Sequence, residues 1–474
     1  MTAKPVDPSK PAPNPSSDGP GGYQDEFYAR DNIVPLPLIE RASGIFMWDE
    51  QGREYIDASS GPVVSNIGHG NEAVAEAMAR QARTMDFAYS RVSRHRPNIE
   101  LTRRIAELAG PGYERVALAT GGSEAIEIGI KFLRQFVVAG GAPERRYIIT
   151  CQPSYHGGTI ATLGMTGDES LHTFLDGFAT VSAKVPAPVT YRLAEGHSVE
   201  TYADYCADCL EEKIISLGAA NVLAFMIEPI GGLATGCVVP PDNYFRRIRE
   251  ICSRHGIFLV FDEVLCGTGR TGRFLAAQHW PDCLPDVVVM AKGLGSGYAP
   301  LGAVLVPAAM ADRLAELTGF NFSHTYNANP ITCATGLAVL DEYARLGLVD
   351  AAAKRGDYLK RQLQALARNH PGIGDIRGRG LLLAIEFAAD RDTRRPLPAD
   401  FLATEKIRIH GLRNGLIIYS RRTAGGRNGD WFIIAPPLTI SEAECDELCA
   451  RLDATLYDFE ADLAQFENRA TTGG

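Results

Sequence analysis

No run of 18 or more apolar residues occurs in this chain of 474 residues, which excludes a membrane-spanning helix. The N-terminus has no apolar stretch of the kind a secretory signal carries, so a cytoplasmic location is expected. Basic excess is missing too. Lys and Arg number 47 against 57 Asp and Glu, a formal net charge of -10, which argues against a nucleic-acid-binding surface. Ten cysteines are present, but a zinc site would need more than the single pair Cys206-x-x-Cys209. A second such pair and nearby histidines are lacking. Cys206 and Cys209 share a helical stripe with Leu210, Ile214 and Leu217. Cys445 and Cys449 share another with Leu448, Leu452 and Leu456, behind the capping-box pattern Ser441-x-x-Glu444. Buried free thiols are expected, and no metal. What remains is a soluble globular composition, 45% hydrophobic and 22% charged, at a length that suits about two or three domains.

The first 22 residues hold six prolines and three glycines, a composition that does not build a core. Residues 44–57 alternate through Ile45, Met47 and Trp48 into a turn at 49–52 and resume at Tyr55 and Ile56, which predicts a β-hairpin. Helical spacing predicts helices over 71–82 and 98–108, and another around Leu359, Leu363 and Leu366.

The most informative stretch is 257–297. It contains IFLVFDEVLCGTGRTG and, further on, PDVVVMAKGLGSG. Each half is a continuous apolar run that ends in a charge, Asp262 in one and Lys292 in the other. Such runs read as strands buried on both faces. A charge at the end of a buried strand needs a partner, and in an open α/β sheet the ligand crevice lies at the carboxyl ends of the strands. VLAFMIEPI (222–230) is a third strand of this kind and ends in Glu228. LGAVLV (301–306) follows Lys292 so closely that an antiparallel neighbour is expected.

A lysine and a carboxylate delivered to one crevice suit pyridoxal 5′-phosphate. The amine condenses with its aldehyde, and the carboxylate keeps its ring nitrogen protonated. Taken singly, Lys292 reads as a surface lysine and Asp262 as a helix cap; the pair decides. Thr120-Gly121-Gly122-Ser123 opens a helix after a short strand, and its free N–H groups suit a phosphate. Alone, that turn reads equally well as an ordinary N-cap at Ser123. GTGRTG (267–272) satisfies the dinucleotide pattern GxGxxG, but Asp262 and Glu263 stand where a pyrophosphate would be repelled, and Arg273-Phe274-Leu275 after it gives only a short helical segment.

FDEVLCGTGRTG followed by MAKGLGSGYAPLGAVLV resembles the class III aminotransferases, the ω-amino acid group of fold-type I pyridoxal phosphate enzymes. The resemblance runs from about residue 32 to the C-terminus. It implies a large α/β domain with a mostly parallel, seven-stranded type of sheet over 76–340. It implies a small α+β domain built from 26–75 and 341–474, behind a tail of 1–25. The implied catalytic residues are Lys292 and Asp262. Gly122, Ser123, Tyr155, His156, Glu228, Val264 and Thr325 would join them around the cofactor. Tyr155 would stack on the ring, His156 would support it or a nearby loop, and Glu127 would lie near the site. Thr325, in FSHTYNANP, would reach the phosphate of the neighbouring subunit. That implies a homodimer or dimer of dimers with shared active sites. Pro62 stands where many relatives carry an aromatic at the substrate entrance. Arg427 is nearest to the place of a carboxylate-clamping arginine, with Arg421 and Arg422 as competitors. The implied reaction moves an amino group from an amine or ω-amino acid to pyruvate or 2-oxoglutarate. Racemase, decarboxylase and aminomutase chemistry on the same scaffold is the alternative.

Overall fold

The computed structural model describes residues 36–172, 175, 178, 181–420, 426 and 429–472. The compact unit Ile39–Gly474 contains the following strands in chain order: β1 Ile39–Ser43, β2 Phe46–Asp49, β3 Glu54–Asp57, β4 Arg115–Ala119, β5 Tyr147–Gln152, β6 Ala183–Pro186, β7 Val222–Ile227, β8 Phe258–Asp262, β9 Val287–Met290, β10 Gly302–Val306, β11 Ile373–Arg379, β12 Leu382–Phe387, β13 Leu416–Ile417, β14 Tyr419–Ser420 and β15 Asp430–Ile434.

Seven of them form one sheet in the order β4-β10-β9-β8-β7-β5-β6. Neighbours from β9 to β6 are all parallel. β10 alone runs against its neighbours, pairing Ala303 with Met290 of β9 and Gly302 with Ala119 of β4. The short Gly-rich connection after Lys292 allows only that direction.

The central strands are apolar throughout because both faces are covered. Alternate residues go to opposite sides, as the strand period of two requires. Ala224, Met226, Val260, Val287 and Val289 pack with Ile126, Leu133 and Val137 of the helix Gly122–Ala139. Phe225, Ile227, Leu259, Phe261, Val288 and Met290 pack on the other side with residues of the helices Val199–Leu217 and Asp242–His255. Phe225 and Phe261 are fully buried, and each contributes about 1.5–3 kcal/mol of transfer free energy. Cys206 is buried in this second layer beside Leu210 and Ile214. Among the described residues no group of His, Cys, Asp or Glu stands where it could hold a metal ion, and no helix is long and apolar enough to cross a membrane.

Two four-stranded sheets make a separate core. β2 and β3 form the expected hairpin, with Met47 opposite Tyr55. β3 also pairs in parallel with β13, Ile56 opposite Leu416. Residues from both ends of the chain therefore meet in one cluster that includes Ile45, Ile56, Leu359, Ile385, Phe432 and Leu452. The helices predicted over 71–82 and 98–108 extend over Glu72–Thr84, capped by Asn71, and Arg96–Ala109, capped by His95. The capping box forms reciprocally: Ser441 N donates to Glu444 Oε2 at 2.7 Å, and Glu444 N donates to Ser441 Oγ at 3.2 Å.

Candidate active site

Because β7, β8 and β9 are adjacent and parallel, their carboxyl ends open on one edge of the sheet. Glu228, Asp262 and Lys292 therefore emerge together. β4 runs in the same direction as β9, since both oppose β10, so the 120–123 turn joins that edge. A cavity of ≈ 470 Å³ lies there, lined by Lys292, Asp262, Glu228, Tyr155, His156 and the 120–123 turn. Val64, Leu233, Val264, Leu265 and Tyr419 supply apolar wall.

Each polar group is fixed by its neighbours. Asp262 is 4% exposed. Its Oδ2 accepts from His156 Nδ1 at 2.8 Å, and its Oδ1 accepts from Val264 N at 3.1 Å. The other ring nitrogen of His156, Nε2, is buried without a protein partner. Glu228 accepts from Tyr155 N at 3.0 Å and from Gly232 N at 2.9 Å. Burial raises its pKa above the usual carboxylate range, with the charge of Asp262 adding to the effect. Burial lowers Lys292 to about 8, against the opposing pull of Asp262 and Glu228. A second lysine, Lys184, is lowered to about 7 by burial. Its ammonium, however, donates to Thr150 Oγ1, Met165 O and Ser182 Oγ, and it stands outside the cavity lining.

The turn at the start of the helix Gly122–Ala139 is sterically committed. A Cβ on Gly122 would stand 2.8 Å from Val264 Cγ1. A Cβ on Gly157, whose φ is +135°, would stand 2.5 Å from Ser123 Oγ. Ser123 Oγ accepts from Gly158 N at 3.0 Å and keeps its own proton to donate.

Gly122, Ser123, Tyr155, His156, Glu228, Asp262, Val264 and Lys292 are thus gathered around one space. Glu127 stands beside it, receiving the Thr159 hydroxyl. Thr325 is exposed and stands outside this lining in the protomer. Pro62 is likewise exposed, and the cavity takes Val64 from that segment instead. Arg427, Arg421 and Arg422 lie outside the described residues. Val64, Leu233 and Tyr419 were not anticipated. Val64 and Leu233 lie in turns and Tyr419 in a two-residue strand, where no periodicity marks a side chain as lining a cavity. GTGRTG forms turns and opens no helix, which removes the dinucleotide geometry.

A family profile described as Aminotransferase class-III matches residues 27–456. The chain belongs to the class-III aminotransferases. This aminotransferase is 34% identical to the putrescine–pyruvate aminotransferase of Pseudomonas aeruginosa, over 89% of this chain and 90% of that one. It is also 34% identical to the diaminobutyrate–2-oxoglutarate transaminase of Halomonas elongata, again over 89% and 90%. Its fold is that of the fold-type I transaminases. The ω-transaminase of Pseudomonas jessenii, solved in complex with PMP, superposes with a TM-score of 0.86 at 30% identity, covering 92% of this chain and 97% of that one. The (S)-enantioselective ω-transaminase of Thermomicrobium roseum gives 0.83 at 35% identity, covering 90% and 93%. Racemase, decarboxylase and aminomutase chemistry is not favoured by these relatives.

Glu263, next to Asp262 and fully buried, accepts from Ala276 N at 2.5 Å and Ala277 N at 2.7 Å. Burial pushes its pKa up to about 7. The unfolded chain releases this proton near pH ~4.3, so between the two values the folded state holds more protons and stability falls as pH rises. Glu263→Gln should lack that slope. Melting temperatures at about pH 5 and about pH 8 should drop more with rising pH in the natural protein than in the variant. Parallel changes would place the titration elsewhere.

Proposed function

We propose that this aminotransferase binds pyridoxal 5′-phosphate in the ≈ 470 Å³ cavity and uses Lys292 and Asp262 as its catalytic pair. The observation that carries the reading is the convergence of an amine, a buried carboxylate and a glycine-lined helix N-terminus on one cavity. The residues present fit the group. Backbone N–H groups at Gly122 and Ser123, with the Ser123 hydroxyl, suit a phosphate where an added Cβ would clash. The space is large enough for a ring.

Bound there, the cofactor supplies an aldehyde that condenses with amines and a cationic ring that accepts electron density from the neighbouring carbon. The protein's own groups do the rest. Lys292, with its pKa lowered to about 8, is unprotonated in a useful fraction near neutral pH. Its Nζ can act as a nucleophile and then carry a proton to and from the reacting carbon. Asp262, oriented by His156 and by Val264 N, holds the proton on the ring nitrogen. Tyr155 presents its ring to the cofactor face. Glu228 is held on the cavity wall by Tyr155 N and Gly232 N. Val64, Leu233, Val264 and Leu265 keep water away from the reacting atoms.

In this reading an amine or ω-amino acid donates its amino group in one half-reaction, and pyruvate or 2-oxoglutarate receives it in the other. Both relatives named above support those substrate classes. Residues 76–340 make the large domain, and 26–75 with 341–474 the small one, a division supported by the sheets, since the seven-stranded sheet draws only on the first segment and the two four-stranded sheets only on the others. The working unit is a homodimer or a dimer of dimers, with Thr325 turned to the partner's phosphate. Ten free thiols support a reducing compartment, the cytoplasm.

Incubation with an amine lacking an α-carboxylate and with pyruvate or 2-oxoglutarate should give the aldehyde and alanine or glutamate in equal amounts. An isomer of the donor in place of the new amino acid, or no new amino acid at all, would contradict the reading. Thr325→Ala should raise the dissociation constant for pyridoxal phosphate by about tenfold or more, the worth of one hydrogen bond to a charged group. An unchanged constant in a protein of unchanged oligomeric state would argue against the cross-subunit contact.

A further inference from the structure

The GTGRTG segment finds no role in the cofactor chemistry, yet it holds a fully buried guanidinium. Arg270 is 0% exposed. Its Nη1 donates to Leu381 O at 3.2 Å and to Pro436 O, and its Nη2 donates to Ser60 Oγ at 3.3 Å and to Asn66 Oδ1 at 2.5 Å. Asn66 is equally committed on its other side. Nδ2 donates to Tyr343 Oη at 2.7 Å and to Thr268 O at 3.3 Å, and the Tyr343 hydroxyl donates to Thr268 O at 2.9 Å. Every polar atom of the Asn66 amide therefore has a partner, and the amide has one orientation.

That amide lies against the turn that carries Lys292. A Cβ added to Gly293 would stand 2.2 Å from Asn66 Nδ2, so the two groups are in direct contact. The turn is strained. Lys292 has φ +45° and Ser296 φ +48°, values a side chain adopts only when its surroundings impose them. The 64–67 segment imposes them. Ile67 N donates to Ser296 Oγ at 2.9 Å, and Val64 Cγ1 lies 3.7 Å from where a Cβ on Gly297 would stand.

We propose that Asn66, clamped by Arg270 and Tyr343, is a positioning residue for Lys292: it braces the Lys292–Gly293 backbone so that the amine is aimed into the cavity. The inference rests on the reading of Lys292 as the amine that meets the cofactor. The groups facing that amine are Asp262, Glu228 and Cys266, whereas the Asn66 amide bonds to Arg270, Tyr343 and Thr268, so loss of the brace acts through geometry and solvent access.

The test is attachment of pyridoxal phosphate to cofactor-free protein, followed by its visible band, for the natural protein, Asn66→Ala and Tyr343→Phe. Asn66→Ala should slow attachment by roughly tenfold or more, the scale of a small misplacement of a reacting group. Tyr343→Phe, which removes only the hydroxyl that holds Nδ2, should slow it less. The rate should also rise with pH through a higher midpoint in both variants, because a loosened lysine is better hydrated and harder to deprotonate. If Asn66→Ala does not fold, the rate and midpoint of Tyr343→Phe decide. Folded variants that match the natural protein in both readouts would overturn the inference alone. A natural protein that forms no band would overturn the cofactor reading and this inference with it.

Discussion

A charge at the edge of an apolar sheet needs a partner, and the site is organised by that constraint. Asp262 ends β8 and Lys292 follows β9 by two residues, and apart from half-buried Phe258 the other residues of both strands are buried. Isolated in such a place, either charge would cost several kcal/mol. Bringing the strands together as parallel neighbours sets opposite charges around one cavity. The same burial lowers the lysine to about 8. The neighbouring carboxylates pull the other way, so it is burial that makes the amine reactive.

The surroundings then remove freedom from each group. His156 and Val264 N fix the Asp262 carboxylate. Tyr155 N and Gly232 N fix Glu228. Glu263 turns away from the cavity to hold the amides of Ala276 and Ala277. Adjacent acidic residues in one motif thus serve different ends, one facing the cavity and the other anchoring the chain that leaves it. Arg270 extends this order outward. It fastens the loop after β8 to the 60–66 segment and to the chain near Leu381 and Pro436.

Much of this is legible in the sequence, for physical reasons. A strand buried on both faces must be apolar throughout, so the charge that ends it is conspicuous, and Glu228, Asp262 and Lys292 could be read directly. The direction of β10 followed from the shortness of the connection before it. Capping boxes and hairpin alternation are local and were equally plain. Contacts between distant segments were not. Val64 and Tyr419 line the cavity from turns and a two-residue strand, and the partners of Arg270 are separated from it by up to 210 residues. A GxGxxG pattern gives no sign that its arginine is a buried clamp. Pro62, expected at the entrance because of its place in the motif, yields the wall to Val64, since the kinked turn at Gly61 (φ +61°) leaves Pro62 exposed.

The central claim is that Lys292 is the amine that meets the cofactor. Borohydride reduction of the pyridoxal phosphate-loaded protein, followed by peptide mass spectrometry, tests it most directly. The account predicts a stable pyridoxyl label on Lys292. A label on another lysine, Lys184 being the obvious rival because burial also lowers its pKa, or no label at all, would contradict it.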